Sequence, residues 1–309
     1  MIRATTIATA QYPVEELENW EAYEAKMSRW VRAAAGNGAS LLVFPEYASM
    51  ELVSLFSDEI RRDLSGQLAA LQELHEAYVD FHARLALESK VYIVAGSFPV
   101  RIPGGAFRNR AYFFNPDGSM DYQDKMMMTR FETEDWLIQE GDLLKVFPTS
   151  IGTIGIAICY DSEFPLLARS QVEQGAEILI VPSCTDTAQG YHRVKIGCQA
   201  RALESQCFVV HSALVGKVDW SAAIDTNVGR AAVYTPVDRG FPEDGVLKIG
   251  DWNEPAWVYA DIDLDHLAKA RLDGAVLNHR NWPESEDRSG RKPEFRLKNE
   301  DRLNLRQTS

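Results

Sequence analysis

Positive charge is scarce in this chain. Its 309 residues carry 32 Lys and Arg against 45 Asp and Glu, a formal net charge of −13. A field of that sign repels phosphate backbones and anionic lipid, so neither nucleic acid nor a membrane is an expected partner. Long apolar runs are also missing. Stretches such as Leu41–Phe44 fall far short of the ~20 residues of a membrane-spanning helix. The opening Met1-Ile2-Arg3-Ala4-Thr5-Thr6 lacks the charged and apolar regions of a secretion signal. A soluble, cytoplasmic protein is expected.

Cysteine is rare. Cys159, Cys184, Cys198 and Cys207 are too few for a disulfide scaffold, and neither Cys-x-x-Cys nor His-x-x-x-His occurs to suggest zinc. A glycine-rich phosphate loop is missing as well: Gly152-Thr153-Ile154-Gly155 lies inside a strand pattern and lacks the following Lys-Ser/Thr. No internal repeat of 20 to 50 residues is present.

What remains is ordinary globular composition, 46% hydrophobic and 25% charged, long enough for one large α/β domain or two smaller ones. Strands are expected at Ile2–Gln11, Ser40–Phe44, Val91–Phe98, Ile151–Ile158, Glu177–Pro182, Cys207–Leu214, Ala231–Tyr234 and Ala256–Ile262. Helical spacing marks Glu15–Ala35, Leu64–Lys90, Glu163–Gln174 and His192–Ser205. A hairpin is expected where Arg108–Asn115 meets Pro116-Asp117-Gly118, with Lys125 just past its second arm. Strand and helix alternate over the whole length, which favours one α/β domain. The segment from Glu284 to Ser309 stands apart, with 13 of 26 residues charged, and is expected to be either a disordered tail or an arm packed on a partner subunit.

Three positions attract chemistry. Cys159 follows the apolar run Thr153–Ile158 and precedes a helix, so its sulfur sits on a strand-to-helix elbow. Such an elbow aims backbone N–H groups beside a nucleophile, although a free Cys is more commonly a small buried hydrophobe, as read for Cys198 and Cys207. Glu46 follows Leu41-Leu42-Val43-Phe44-Pro45, at the carboxyl end of a buried strand where α/β proteins build sites; a solvated role fits the spacing equally. Lys125 is flanked by Met126-Met127-Met128, which fits either a site lysine or one snorkelling over core. None of the six histidines stands where it would serve as base.

Phe44-Pro45-Glu46, Asp124-Lys125 and Gly155–Asp161 with Phe164-Pro165, in that order and spacing, resemble the nitrilase superfamily of carbon-nitrogen hydrolases. The likeness extends from the N-terminal strand to about Asp263 and includes Val181-Pro182-Ser183 and Ala200–Glu204. It implies a four-layer αββα sandwich over residues 1–283 and a catalytic Glu46, Lys125 and Cys159. Glu134, seven residues before Gly141, matches the second glutamate, with Glu132 and Glu140 as close rivals. It further implies an oxyanion held by Lys125 and the Tyr160 N–H, a Cys159 thioester, no metal or organic cofactor, and a homodimer or higher homo-oligomer. Tyr47, Trp136 and Thr185 are candidate substrate contacts.

The expected activity is hydrolysis of a small amide or carbamoyl compound, with acyl transfer from the same thioester as the alternative and a silent scaffold as a different class. Two departures shape this reading. Met126-Met127-Met128 replaces the His-Leu that follows the lysine in many members, which bears on the substrate. Cys159-Tyr160-Asp161-Ser162 replaces the Cys-Trp-Glu-His of nitrile-cleaving members, which points to amides.

Overall fold

A computed structural model describes residues 3–291. The chain begins with β1 (Ala4–Pro13), α1 (Trp20–Gly36) and β2 (Leu41–Phe44), followed by a 3-10 segment at Ala48–Leu55. The helix α1 starts at Trp20 rather than Glu15 because the Asn19 side chain caps it, accepting from the Ala22 N–H. Next come α2 (Asp58–Arg62), α3 (Leu64–Leu71), α4 (His75–Ser89), β3 (Tyr92–Arg101), β4 (Phe107–Phe114) and β5 (Met120–Asp124). The single helix expected over Leu64–Lys90 is therefore two, broken by a 3-10 turn at Gln72–Leu74. Gln72 is pinned to β3 there, donating to Pro99 O at 2.7 Å and accepting from the Arg101 N–H at 2.9 Å.

The second half contains α5 (Arg130–Glu134), β6 (Val146–Thr149), β7 (Gly152–Ile156), a 3-10 turn at Cys159–Glu163, α6 (Pro165–Glu173), β8 (Ile178–Ser183) and α7 (Ala188–Ser205). It ends with β9 (Phe208–Lys217), β10 (Thr226–Asn227), β11 (Ala232–Tyr234), β12 (Val246–Ile249), β13 (Ala256–Asp263), α8 (Leu264–Asp273) and α9 (Asn278–Ser289). The sequence pattern did not reveal β6. It is an edge strand with Pro148 inside it, where a missing N–H is tolerated.

Hydrogen bonding runs β5-β4-β3-β2-β1-β9-β8-β7-β6, with β13 antiparallel to β1. The last residues of β1, Gln11 to Pro13, leave β2 and pair with Ala213 to Val215 of β9, so one curled sheet doubles back on itself. Period-two alternation assigns the faces. On β2, Leu42 and Phe44 face α1 and α4, while Leu41 and Val43 face the other half of the sheet. Phe113 of β4 meets Phe147 of β6 across that gap with ring centroids 5.1 Å apart. Helices α6 and α7 cover the far side, which completes the αββα sandwich. Strands buried on both faces explain their unbroken apolar runs.

The position expected as a boundary, Glu284, lies inside α9. That helix docks on α6 through Arg169, whose guanidinium lies 4.7 Å from the Trp282 ring centroid and donates to His279 O. The remainder of the expected tail, 292–309, lies outside the described residues. Among the described residues no helix is long and apolar enough to cross a membrane.

Candidate active site

The sheet delivers three loops to one point. Glu46 leaves the end of β2, Lys125 the end of β5, and Cys159 the turn after β7. Two glycines permit the close approach. Gly96 on β3 has φ of +73°, and a Cβ there would overlap the Pro45 carbonyl oxygen, one residue from Glu46. Gly197 lets α7 pack on the nucleophile turn, where a Cβ would lie 2.8 Å from Ser162 O. Cys159 itself is left-handed at φ +48°, a backbone strain imposed by the turn that presents the thiol.

Lys125 is buried and its Nζ donates to Glu46 Oε1 and Glu132 Oε2, both at 2.7 Å. Glu46 Oε1 also accepts from Asn109 Nδ2 at 2.9 Å, and its Oε2 from the Cys184 N–H at 3.0 Å. The Cys159 thiol donates to Cys184 O, with the sulfur 3.9 Å away, and shares the cavity with the Glu46 carboxylate. Asp161 ties the loops together, accepting from the N–H groups of Met126 (3.1 Å), Met127 (2.7 Å) and Ile158 (3.0 Å). One carboxylate thus joins the backbone beside the lysine to the backbone beside the nucleophile.

Charge is controlled by burial and neighbours. Burial pushes the Cys159 thiol well above its ordinary value, and the Glu46 charge adds to this, so the resting sulfur is protonated. Burial also raises Glu46, with Glu132 adding to the effect and Lys125 opposing it. For Lys125, desolvation is outweighed by the two carboxylates, and the ammonium is held well above its usual range. Glu132 shows the opposite balance: despite burial, Lys125 and the Thr129 N–H hold its carboxyl below the ordinary range. The arrangement is a neutral thiol beside a carboxylate of heightened proton affinity, next to a fixed cation.

The assignment of Glu134 as second glutamate is corrected by this geometry. Glu134 is exposed and paired with Arg130 at 2.8 Å, while Glu132 points inward to Lys125. Two residues along a helix turn the side chain by about 200°, so only one of the pair faces Lys125. Glu140 is exposed as well. A sequence signal for Glu132 existed in Thr129-Arg130-Phe131-Glu132, a capping box in which Thr129 N–H donates to Glu132 Oε2 at 2.9 Å. Asn109, Asp161 and Cys184 were not singled out from sequence.

Glu46, Lys125, Glu132, Cys159 and Cys184 line a cavity of about 570 Å³. Tyr47, Trp136, Tyr160 and Thr185 line it, but Tyr47, Trp136 and Thr185 are held by the protein. Tyr47 donates to Glu132 Oε1 at 2.7 Å and packs with its ring centroid 5.0 Å from that of Trp136, tilted by 54°, and Trp136 Nε1–H donates to Leu64 O. Thr185 donates to Val228 O.

The family model for carbon-nitrogen hydrolases matches residues 6–272. The chain belongs to this family. Among curated relatives, it is 34% identical over 270 residues to a Bacillus subtilis (strain 168) protein described as probable hydrolase YhcX. That match covers 87% of this chain but 52% of YhcX, so the chain spans about half the length of that relative. It is 27% identical over 262 residues to the omega-amidase NIT2 of Danio rerio, covering 81% of this chain and 86% of that protein. Among solved structures, a carbon-nitrogen hydrolase from Helicobacter pylori G27 superposes with a TM-score of 0.72 at 20% identity, covering 92% of this chain and 95% of that one. The nitrilase-type fold is therefore shared, and Glu46, Lys125 and Cys159 meet in it at the carboxyl ends of the strands.

Proposed function

We propose that this carbon-nitrogen hydrolase cleaves a small amide through a Cys159 thioester, releasing ammonia or an amine. The observation that carries the reading is the Cys159 thiol and the Glu46 carboxylate in one cavity, beside a lysine bridging Glu46 and Glu132. Relatives described as amidases supply the amide preference.

An amide is a weak electrophile with a poor leaving group, so the site must supply a nucleophile, an anion sink and a proton. Glu46 takes the thiol proton as sulfur attacks the carbonyl carbon. An ammonium has three N–H donors; two of Lys125's reach the carboxylates, which leaves one for the tetrahedral oxyanion together with the Tyr160 N–H. Glu46 returns its proton to the departing nitrogen, and the C–N bond breaks to give the thioester. Water then attacks, its proton passing to Glu46, and collapse restores the thiol and frees the acid. Glu132 fixes Lys125 throughout.

Intact mass spectrometry with a panel of small amides, carbamoyl compounds and nitriles, run beside an ammonia assay, tests this. The expected result is an acyl mass on the wild-type protein with ammonia or amine release, both lost in Cys159→Ala. Turnover that persists in Cys159→Ala would overturn the mechanism. Release of amine only in the presence of an added acceptor such as hydroxylamine would favour acyl transfer instead.

A further inference from the structure

Asn109 occupies a place that the Glu-Lys-Cys chemistry does not explain. It stands on β4, fully buried, and one atom of it, Nδ2, donates to two carboxylates at once: Glu46 Oε1 at 2.9 Å and Glu132 Oε1 at 3.2 Å. Its main chain grips the third member of the group, since Asn109 O accepts from the Lys125 N–H at 2.9 Å. The amide oxygen, Oδ1, is buried with no partner among the described residues. A buried acceptor left open is unfavourable, and turning the amide over would aim that oxygen at two anions. The side chain is therefore set for its N–H groups alone.

Charge counting shows what those groups do. Two carboxylates share one ammonium in a buried pocket, so one negative charge is in excess. The other groups facing Glu46 are the Cys159 thiol, the Cys184 N–H and thiol, and the neighbouring Tyr47. Among the described residues the Cys184 N–H also donates to Glu46, from outside the Lys–Asn pair.

We propose that Asn109 is a positioning residue of the reaction: its amide holds Glu46 and Glu132 in register about Lys125 and keeps Glu46 available as the base. This rests on the reading of Glu46 as base to Cys159. Removing the donor makes the Glu46 charge more costly, so the shared proton of the Cys159–Glu46 pair is lost at higher pH.

The test is the rate of Cys159 alkylation by iodoacetamide against pH, followed by intact mass, in the wild type, Asn109→Leu and the isosteric Asn109→Asp. This readout needs no substrate, so it separates failure of the proposal from failure of the amidase reading, which the ammonia assay decides. Both variants are expected to move the acid limb of the profile upward by about one pH unit, a tenfold change in proton affinity, with Asn109→Asp moving it further because it adds a third acidic group. Where a substrate is in hand, kcat below the limb is expected to fall while KM changes little. An acid limb that stays in place in folded variants, whatever the loss of rate, would overturn the proposal. If Asn109→Leu does not fold, the isosteric variant decides.

Discussion

Replacing Glu132 and Glu134 separately by Gln discriminates two glutamates that lie two residues apart in one helix. Glu132 Oε2 accepts from Lys125 Nζ, Thr129 N and Thr129 Oγ1, and Oε1 from Tyr47 OH and Asn109 Nδ2. A glutamine there has one acceptor oxygen and one NH2, so it cannot serve all five donors. It also leaves Lys125 with a single anionic partner. A buried, charge-assisted hydrogen bond contributes roughly 1.5–3 kcal/mol. If that amount is lost from the arrangement holding Lys125 to the oxyanion, kcat falls roughly 10- to 150-fold, at about 1.4 kcal/mol per factor of ten. Glu134→Gln removes only an exposed pair with Arg130 and is expected to leave kcat at the wild-type level. The assay is steady-state ammonia release on an amide the wild type hydrolyses, with thermal melts to confirm that both variants fold. Wild-type kcat in a folded Glu132→Gln, or an equal loss in Glu134→Gln, would refute the reasoning.

Two further outcomes follow from the structure. Gly96→Ala forces a Cβ into the Pro45 carbonyl at a positive φ, which should destabilise by roughly 1–3 kcal/mol in a urea titration and lower kcat by shifting Glu46; an unchanged midpoint would contradict the packing. His82 is buried and pushed down to about 4 by desolvation, opposed by its bond to Tyr78 O. Because the unfolded state takes the proton first, near 6.5, this contribution is present above that pH and disappears as pH falls toward 4. The gap corresponds to about 3 kcal/mol. His82→Gln should flatten the loss of stability over that window, and an identical slope would show His82 not to be responsible.

Much of the scaffold was legible because burial writes itself into sequence. Strands covered on both faces read as continuous apolar runs, and Pro45 and Lys125 directly follow the ends of β2 and β5, while β7 stops at Ile156, short of the expected Ile158. Edge and short elements were harder: β6 carries a proline, and α5 spans only five residues. The break at Gln72 was invisible because its cause lies on β3, at Pro99 and Arg101.

The sequence by itself determined the order of the elements and the residue types at three strand ends, since periodicity and chain-breaking residues are local properties. Only the tertiary structure decided which glutamate faces Lys125, that Asn109 spans both carboxylates, and that Asp161 joins two loops. The Asn109 and inter-loop Asp161 contacts link residues 23 to 63 positions apart, and the choice of glutamate depends on the rotation of a single helical turn. The physical reason is that a side chain's direction in a short loop is set by what packs against it, and that information is spread over the whole fold.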